Sequence, residues 1–91
     1  MSKIDIRRKH GRSVKAAKAA VDKTAASISQ KFGVTSEWRG DELHFERSGV
    51  NGRIRVTSSE VHVTAELGFL LGALKSTIER EIERQLDENF S

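Results

Sequence analysis

Val34-Thr35-Ser36-Glu37-Trp38-Arg39-Gly40-Asp41-Glu42-Leu43-His44-Phe45-Glu46 decides the fold. Apolar and polar residues alternate on both sides of Gly40-Asp41, the period of a strand with one face buried. Gly40-Asp41 suits a two-residue type II′ turn, because glycine accepts the positive φ at its first position. That turn predicts a register. Trp38 faces Leu43 and Ser36 faces Phe45 on the inner side, and Glu37 faces His44 outside. Two strands joined this tightly are antiparallel, which excludes a helical crossover between them.

The same alternation continues downstream. Asn51-Gly52 reads as a second hairpin turn. Ile54 and Val56 then point inward, and Arg53 and Arg55 outward. Ser58-Ser59 marks another turn before Val61, Val63, Ala65 and Leu67. Upstream, the period changes to 3.6. Val14, Ala17, Val21, Ala25, Ile28 and Phe32 form one face of a helix over 13–32, with Ser13 as N-cap and Gly33 as C-cap. Before it, Lys3-Ile4-Asp5-Ile6-Arg7-Arg8 alternates as a strand. After the last strand, Leu67-Gly68-Phe69-Leu70-Leu71-Gly72-Ala73-Leu74-Lys75 opens a long amphipathic helix. Leu70, Leu74, Ile78, Ile82, Leu86 and Phe90 recur every fourth residue along it. The expected fold is α+β, a two-layer sandwich in the order β-α-β-β-β-β-α. One largely antiparallel sheet carries two helices on one face, in a single domain over 1–91. The first strand has two places open to it, beside the last strand or at the opposite edge.

Ninety-one residues with 36% hydrophobic and 32% charged content describe a globular chain. There is no cysteine, hence no disulfide framework and no thiolate chemistry, which fits a cytoplasmic protein. No apolar run reaches the roughly 18 residues a membrane span needs, and Ser2 to Arg12 lacks the apolar core of a signal peptide. The net charge of +3 conceals a gradient. Residues 1–31 hold nine Lys/Arg against two Asp, and residues 65–91 hold three against six Asp/Glu. Opposite ends of the chain therefore attract each other, within one molecule or between two.

No Ser/His/Asp set and no zinc ligands are present, so catalytic residues, metal ligands and cofactors are not expected. His44 and His62 share the outer face, two strands and roughly 9–10 Å apart, with the arginine-bearing strand between them. Arg7, Arg8, Lys9, Arg12, Lys15 and Lys18 form a candidate basic patch. No stacking aromatics accompany it, so nucleic acid is the lesser reading. Phe69, Leu70, Leu71, Leu86 and Phe90 form a candidate interaction surface. Gly68-x-x-x-Gly72 allows close packing there.

Ile4-Asp5-Ile6-Arg7-Arg8-Lys9-His10-Gly11, Asp41-x-Leu43-His44-Phe45, Gly49-Val50-Asn51-Gly52-Arg53-Ile54 and the run from Leu67 to Lys75 together resemble the small bacterial polyhydroxyalkanoic acid system proteins. The resemblance covers essentially the whole chain. It implies a cytoplasmic accessory protein of carbon-storage granules, whose partner is a granule surface or a granule-associated protein. It carries over no catalytic residue. Two other functions compete with it. The alanines of the first helix leave room for an acyl chain in a helix-grip carrier, and the basic third suits a nucleic-acid-binding regulator. A homodimer is also expected, through an unguarded sheet edge or through Leu86 and Phe90 at the end of the last helix.

Overall fold

The computed structural model describes residues 2–90, except for the side chain of Leu70. Among these residues the order is β1 (Ser2–Lys9), α1 (Val14–Phe32), β2 (Thr35–Arg39), β3 (Glu42–Arg47), β4 (Val50–Val56), β5 (Glu60–Leu67), a 3₁₀ segment (Phe69–Leu74) and α2 (Lys75–Asn89). The strands form one sheet in the order β1-β5-β4-β3-β2, every pair antiparallel. The fold is thus an α+β sandwich, and β1 lies beside the last strand.

Helix α1 begins and ends where its caps require. The Ser13 hydroxyl accepts a hydrogen bond from the Ala16 amide at 3.1 Å. Gly33 ends the helix with φ +67 and donates to Ser29 O at 2.8 Å. Its buried face is Ala17, Ala20, Val21, Thr24, Ala25 and Ile28. Thr24 breaks the apolar pattern yet is fully buried. Its hydroxyl donates to Ala20 O and accepts from the Asn89 side chain of α2, so burial leaves it with no unmet bond.

The β2–β3 hairpin has the predicted register, with Trp38 opposite Leu43 and Glu37 opposite His44. Gly40 has φ +64 and, among the described residues, no non-glycine residue has positive φ, as a type II′ turn requires. The next hairpin differs from expectation. Its turn is Ser48-Gly49, and Asn51-Gly52 lies inside β4. Gly52 sits directly opposite Phe45, whose ring covers it. A Cβ on Gly52 would lie 2.7 Å from that ring and 2.9 Å from Thr64 O. This glycine serves packing, not a turn.

The inner face of the sheet supplies Ile4, Ile6, Leu43, Phe45, Ile54, Val56, Val61, Val63, Ala65 and Leu67 to one core with α1 and α2. From α2 come Ile82 and Leu86, both essentially buried. Burying two such side chains is worth about 3–6 kcal/mol, against a total of about 5–15 kcal/mol for a domain. Helix α2 is therefore an integral wall. The apolar turns before it, expected as the start of the same helix, are 3₁₀.

Candidate functional site

The 3₁₀ segment leaves the sheet at Gly68, whose carbonyl accepts from the amides of both Leu71 and Gly72 at 3.0 Å. The Gly68 amide in turn donates to Gly49 O at 2.8 Å, clasping the segment to the β3–β4 turn. Gly49 needs its missing side chain twice over. It has φ +85, and a Cβ there would lie 3.2 Å from Leu71 Cδ1. Gly72 likewise faces Ser2, with a Cβ position 3.0 Å from the serine hydroxyl. These close approaches turn Leu71 onto the core as a half-buried lid and send Phe69 outward.

Phe69 is 92% exposed and Leu74 46% exposed, the exposed large hydrophobics among the described residues. With Ala73, also exposed, they belong to a hexamer, Phe-Leu-Leu-Gly-Ala-Leu, with no polar side chain. The Leu70 side chain lies outside the described residues. Beside the segment, residues Gly33, Arg47, Gly49, Val50 and Leu67 help to line an open concavity of about 610 Å³.

The other members of the candidate surface are elsewhere. Leu86 is fully buried, so in this fold it forms core rather than surface. Phe90 closes the opposite end of the sandwich, against His10 at 6.0 Å between ring centroids and under the Arg12 guanidinium at 5.1 Å. Arg12 Nη1 also donates to Asn89 O at 2.8 Å, a cation at the carbonyl end of α2. The His10 ring sits between two backbone groups. Nε2 is 2.9 Å from Thr57 O, and Nδ1 is 3.1 Å from the Arg12 amide. A carbonyl can only accept and an amide only donate, so these two contacts match the tautomer that carries its hydrogen on Nε2. The Lys9-His10-Gly11 corner is thus a lock joining β1, the β4–β5 turn and α2.

The candidate basic patch is dispersed by the same folding. Alternation along β1 sends Arg7 to the open sheet face, bonded to Glu60 at 2.9 Å, and Arg8 to the helix side, 2.6 Å from Asp87. Lys18 lies 4.7 Å from the Trp38 ring centroid, donates to Gly40 O at 3.0 Å and pairs with Asp41. Lys9 and Lys15 are exposed. Four of the six cations are thus engaged within the chain.

On the open sheet face, β4 does separate the two histidines, as the register requires. Glu42 gathers Arg55 at 2.9 Å, His44 at 3.1 Å and Arg53 at 3.8 Å. The Arg55 hydrogen bond holds its carboxyl below the usual range, partial burial opposes this, and the His44 bond reinforces it. His62 donates to Asp5 at 2.7 Å. Among the described residues no group of three or more His, Asp or Glu is placed to hold a metal ion. A polar trough of about 840 Å³ runs over this face between Lys3 and Asp5 on β1 and Glu37 and Arg39 on β2. The space between sheet and helices, where an acyl chain would enter a helix-grip carrier, is occupied by the core side chains.

Sequence reasoning missed the lock. Only the proximity of His10 in space to Thr57 and Phe90 reveals its role. Helix α2 also carries a buried polar residue, Gln85, which donates to Glu81 at 3.1 Å.

The chain is thus a small antiparallel α+β sandwich, closed by polar contacts at one end and exposing an uncharged 3₁₀ segment at the other. Residues 4–90 match the family described as polyhydroxyalkanoic acid system protein (PHA_gran_rgn), and the chain belongs to that family. No curated protein and no solved structure matches it. Among the described residues no helix is long and apolar enough to cross a membrane.

Proposed function

We propose that this protein is a non-enzymatic accessory module of the polyhydroxyalkanoate system, acting in the cytoplasm by docking its 3₁₀ segment on an apolar partner surface. That surface belongs to the storage granule or to a protein on it. The observation that carries the reading is the exposure of Phe69, 92%, at the tip of an uncharged segment. A side chain of this size left in water has forgone burial worth about 1.5–3 kcal/mol, and a neighbouring apolar surface recovers that energy. The clasp of Gly68 on Gly49 supports the same reading, because it holds the contact residue in place before binding and lowers the ordering cost. Family membership supports the pathway.

The test is flotation with native polyester granules and with protein-free polymer particles. The reading expects the wild-type protein with at least the native granules and a loss of at least several-fold for Phe69→Ser. Binding to both particles identifies the polymer surface, and binding to native granules alone identifies a granule protein. Wild-type protein that stays soluble with both, or a Phe69→Ser variant that binds as wild type, overturns it.

A further inference from the structure

The sheet has two free edges, and they differ in what they offer a second chain. The backbone groups of one strand residue point to one neighbour and those of the next residue to the other. The Val56 amide donates to Asp41 O, so the odd-numbered residues at this end of β3 turn toward β4. Glu42, His44 and Glu46 then turn toward β2, and their partners Arg39, Glu37 and Thr35 are occupied. The amides and carbonyls of Ser36 and Trp38 are left pointing off the edge. Nothing guards them: β2 has no proline, and four of its five residues are exposed.

An antiparallel copy of β2 meets these groups in few registers. Centred on Glu37, the pair sets two glutamates face to face. Centred on Trp38, it sets Glu37 opposite Arg39 of the second copy, twice over by symmetry, and brings the two Trp38 side chains together on the helix side. Glu37 and Arg39 are both about two-thirds exposed, 3.4 Å apart in one chain, and free to re-pair across the seam. Trp38, on the edge strand, is half-buried, its indole bonded to Asp22 and covered by Lys18. The β1 edge offers a poorer match: centred on Ile6 it sets Asp5 opposite Arg7 of the second copy but also Lys3 opposite Lys9, and Asp5 and Arg7 are already bonded to His62 and Glu60.

We propose that two copies of this chain pair antiparallel along β2, centred on Trp38, to form a continuous ten-stranded sheet. Centred on Trp38, only Glu37, Trp38 and Arg39 of each β2 lie opposite one another, with Ser36 facing the turn residue Gly40, so the seam is three residues long and the dimer is weak and depends on concentration.

The experiment is sedimentation equilibrium over a concentration series, with the fluorescence of the single tryptophan as a second readout. Circular dichroism checks that each variant is folded. The wild-type mass is expected to rise from 10.1 kDa toward twice that value, with a parallel change in Trp38 emission. Glu37→Arg alone and Arg39→Glu alone are expected to remain monomeric. An equimolar mixture of the two, which restores both cross-seam pairs, recovers the dimer, and so does the double variant. A wild-type mass fixed at 10.1 kDa, a dimer indifferent to either single change, or a mixture that fails to recover it overturns the proposal.

Discussion

The two ends of this sandwich are built from different materials. At one end His10, Arg12, Asn89 and Phe90 close the fold with directed hydrogen bonds and a ring under a guanidinium. At the other end Gly49, Gly68 and Leu71 close it by backbone proximity, and Phe69 is left in water. A directed contact fixes one geometry and leaves nothing over for a partner. A close approach of glycines fixes the backbone while freeing the side chains around it. The first end therefore reads as stability and the second as surface.

The comparison breaks most readily at His10. His10→Ala removes the ring that satisfies Thr57 O and the Arg12 amide, and it unseats Phe90. The expected loss is about 2–3 kcal/mol, read as a fall of roughly 10–20 °C in Tm for a chain of this size. A loss under about 0.5 kcal/mol would mean that water replaces the ring and that the end is not locked.

At the opposite end, Gly49→Ala is expected to cost about 1–2 kcal/mol, because an L side chain at φ +85 is strained. The new methyl also presses on Leu71. Denaturant unfolding measures the loss. The sharper readout is the 3₁₀ segment, where amide exchange at Leu71 and Gly72 should rise more than exchange in α1. Uniform acceleration would show that the clasp is not local.

Between the ends, the helices are tied by charge. Glu81 bonds Arg84, Lys31 and Gln85, and these bonds lower its pKa to about 2 from 4.5. A depressed carboxylate contributes stability that is full above the unfolded value near 4.5 and is lost as pH falls toward 2. Unfolding curves from pH 5 down to pH 2 are expected to show this loss in the wild type and a shallower one in Glu81→Gln. Equal slopes would assign the acid sensitivity to other carboxylates, with Glu42 next in line.

The sequence carried much of this architecture and concealed some of it for identifiable reasons. Period and caps located α1, and the Gly40-Asp41 turn fixed the register of β2 on β3, because both signals are local. Asn51-Gly52 has the chemistry of a hairpin turn but the wrong position for the register of the sheet. A turn there would set Val56 opposite Arg47 and Ile54 opposite Gly49. The observed turn at Ser48-Gly49 sets Ile54 opposite Leu43 instead. Burial outweighs turn preference when the two disagree. The 3₁₀ segment was hidden by its own apolarity, since spacing of four fits both a helix and a coincidence. Only the approach of Gly68 to Gly49 and of Gly72 to Ser2 decides between them. Phe69 and Leu71 were legible as candidates. Leu86 and Phe90 were not separable from them, because the same stripe runs through surface and core.

The smallest expected effect on stability is at the residue with the largest proposed role. Phe69→Ser removes a ring that touches little of its own chain, and a solvent-facing substitution of this kind shifts stability within about 0.5 kcal/mol. Thermal unfolding should place the variant within a few degrees of the wild type, while its retention on native granules falls. The pairing of those two results carries the comparison, because a residue kept for the fold lowers both together. If Phe69→Ser lost more than about 1.5 kcal/mol, the ring would be packed in solution, and the two ends of the sandwich would be alike in purpose as well as in position.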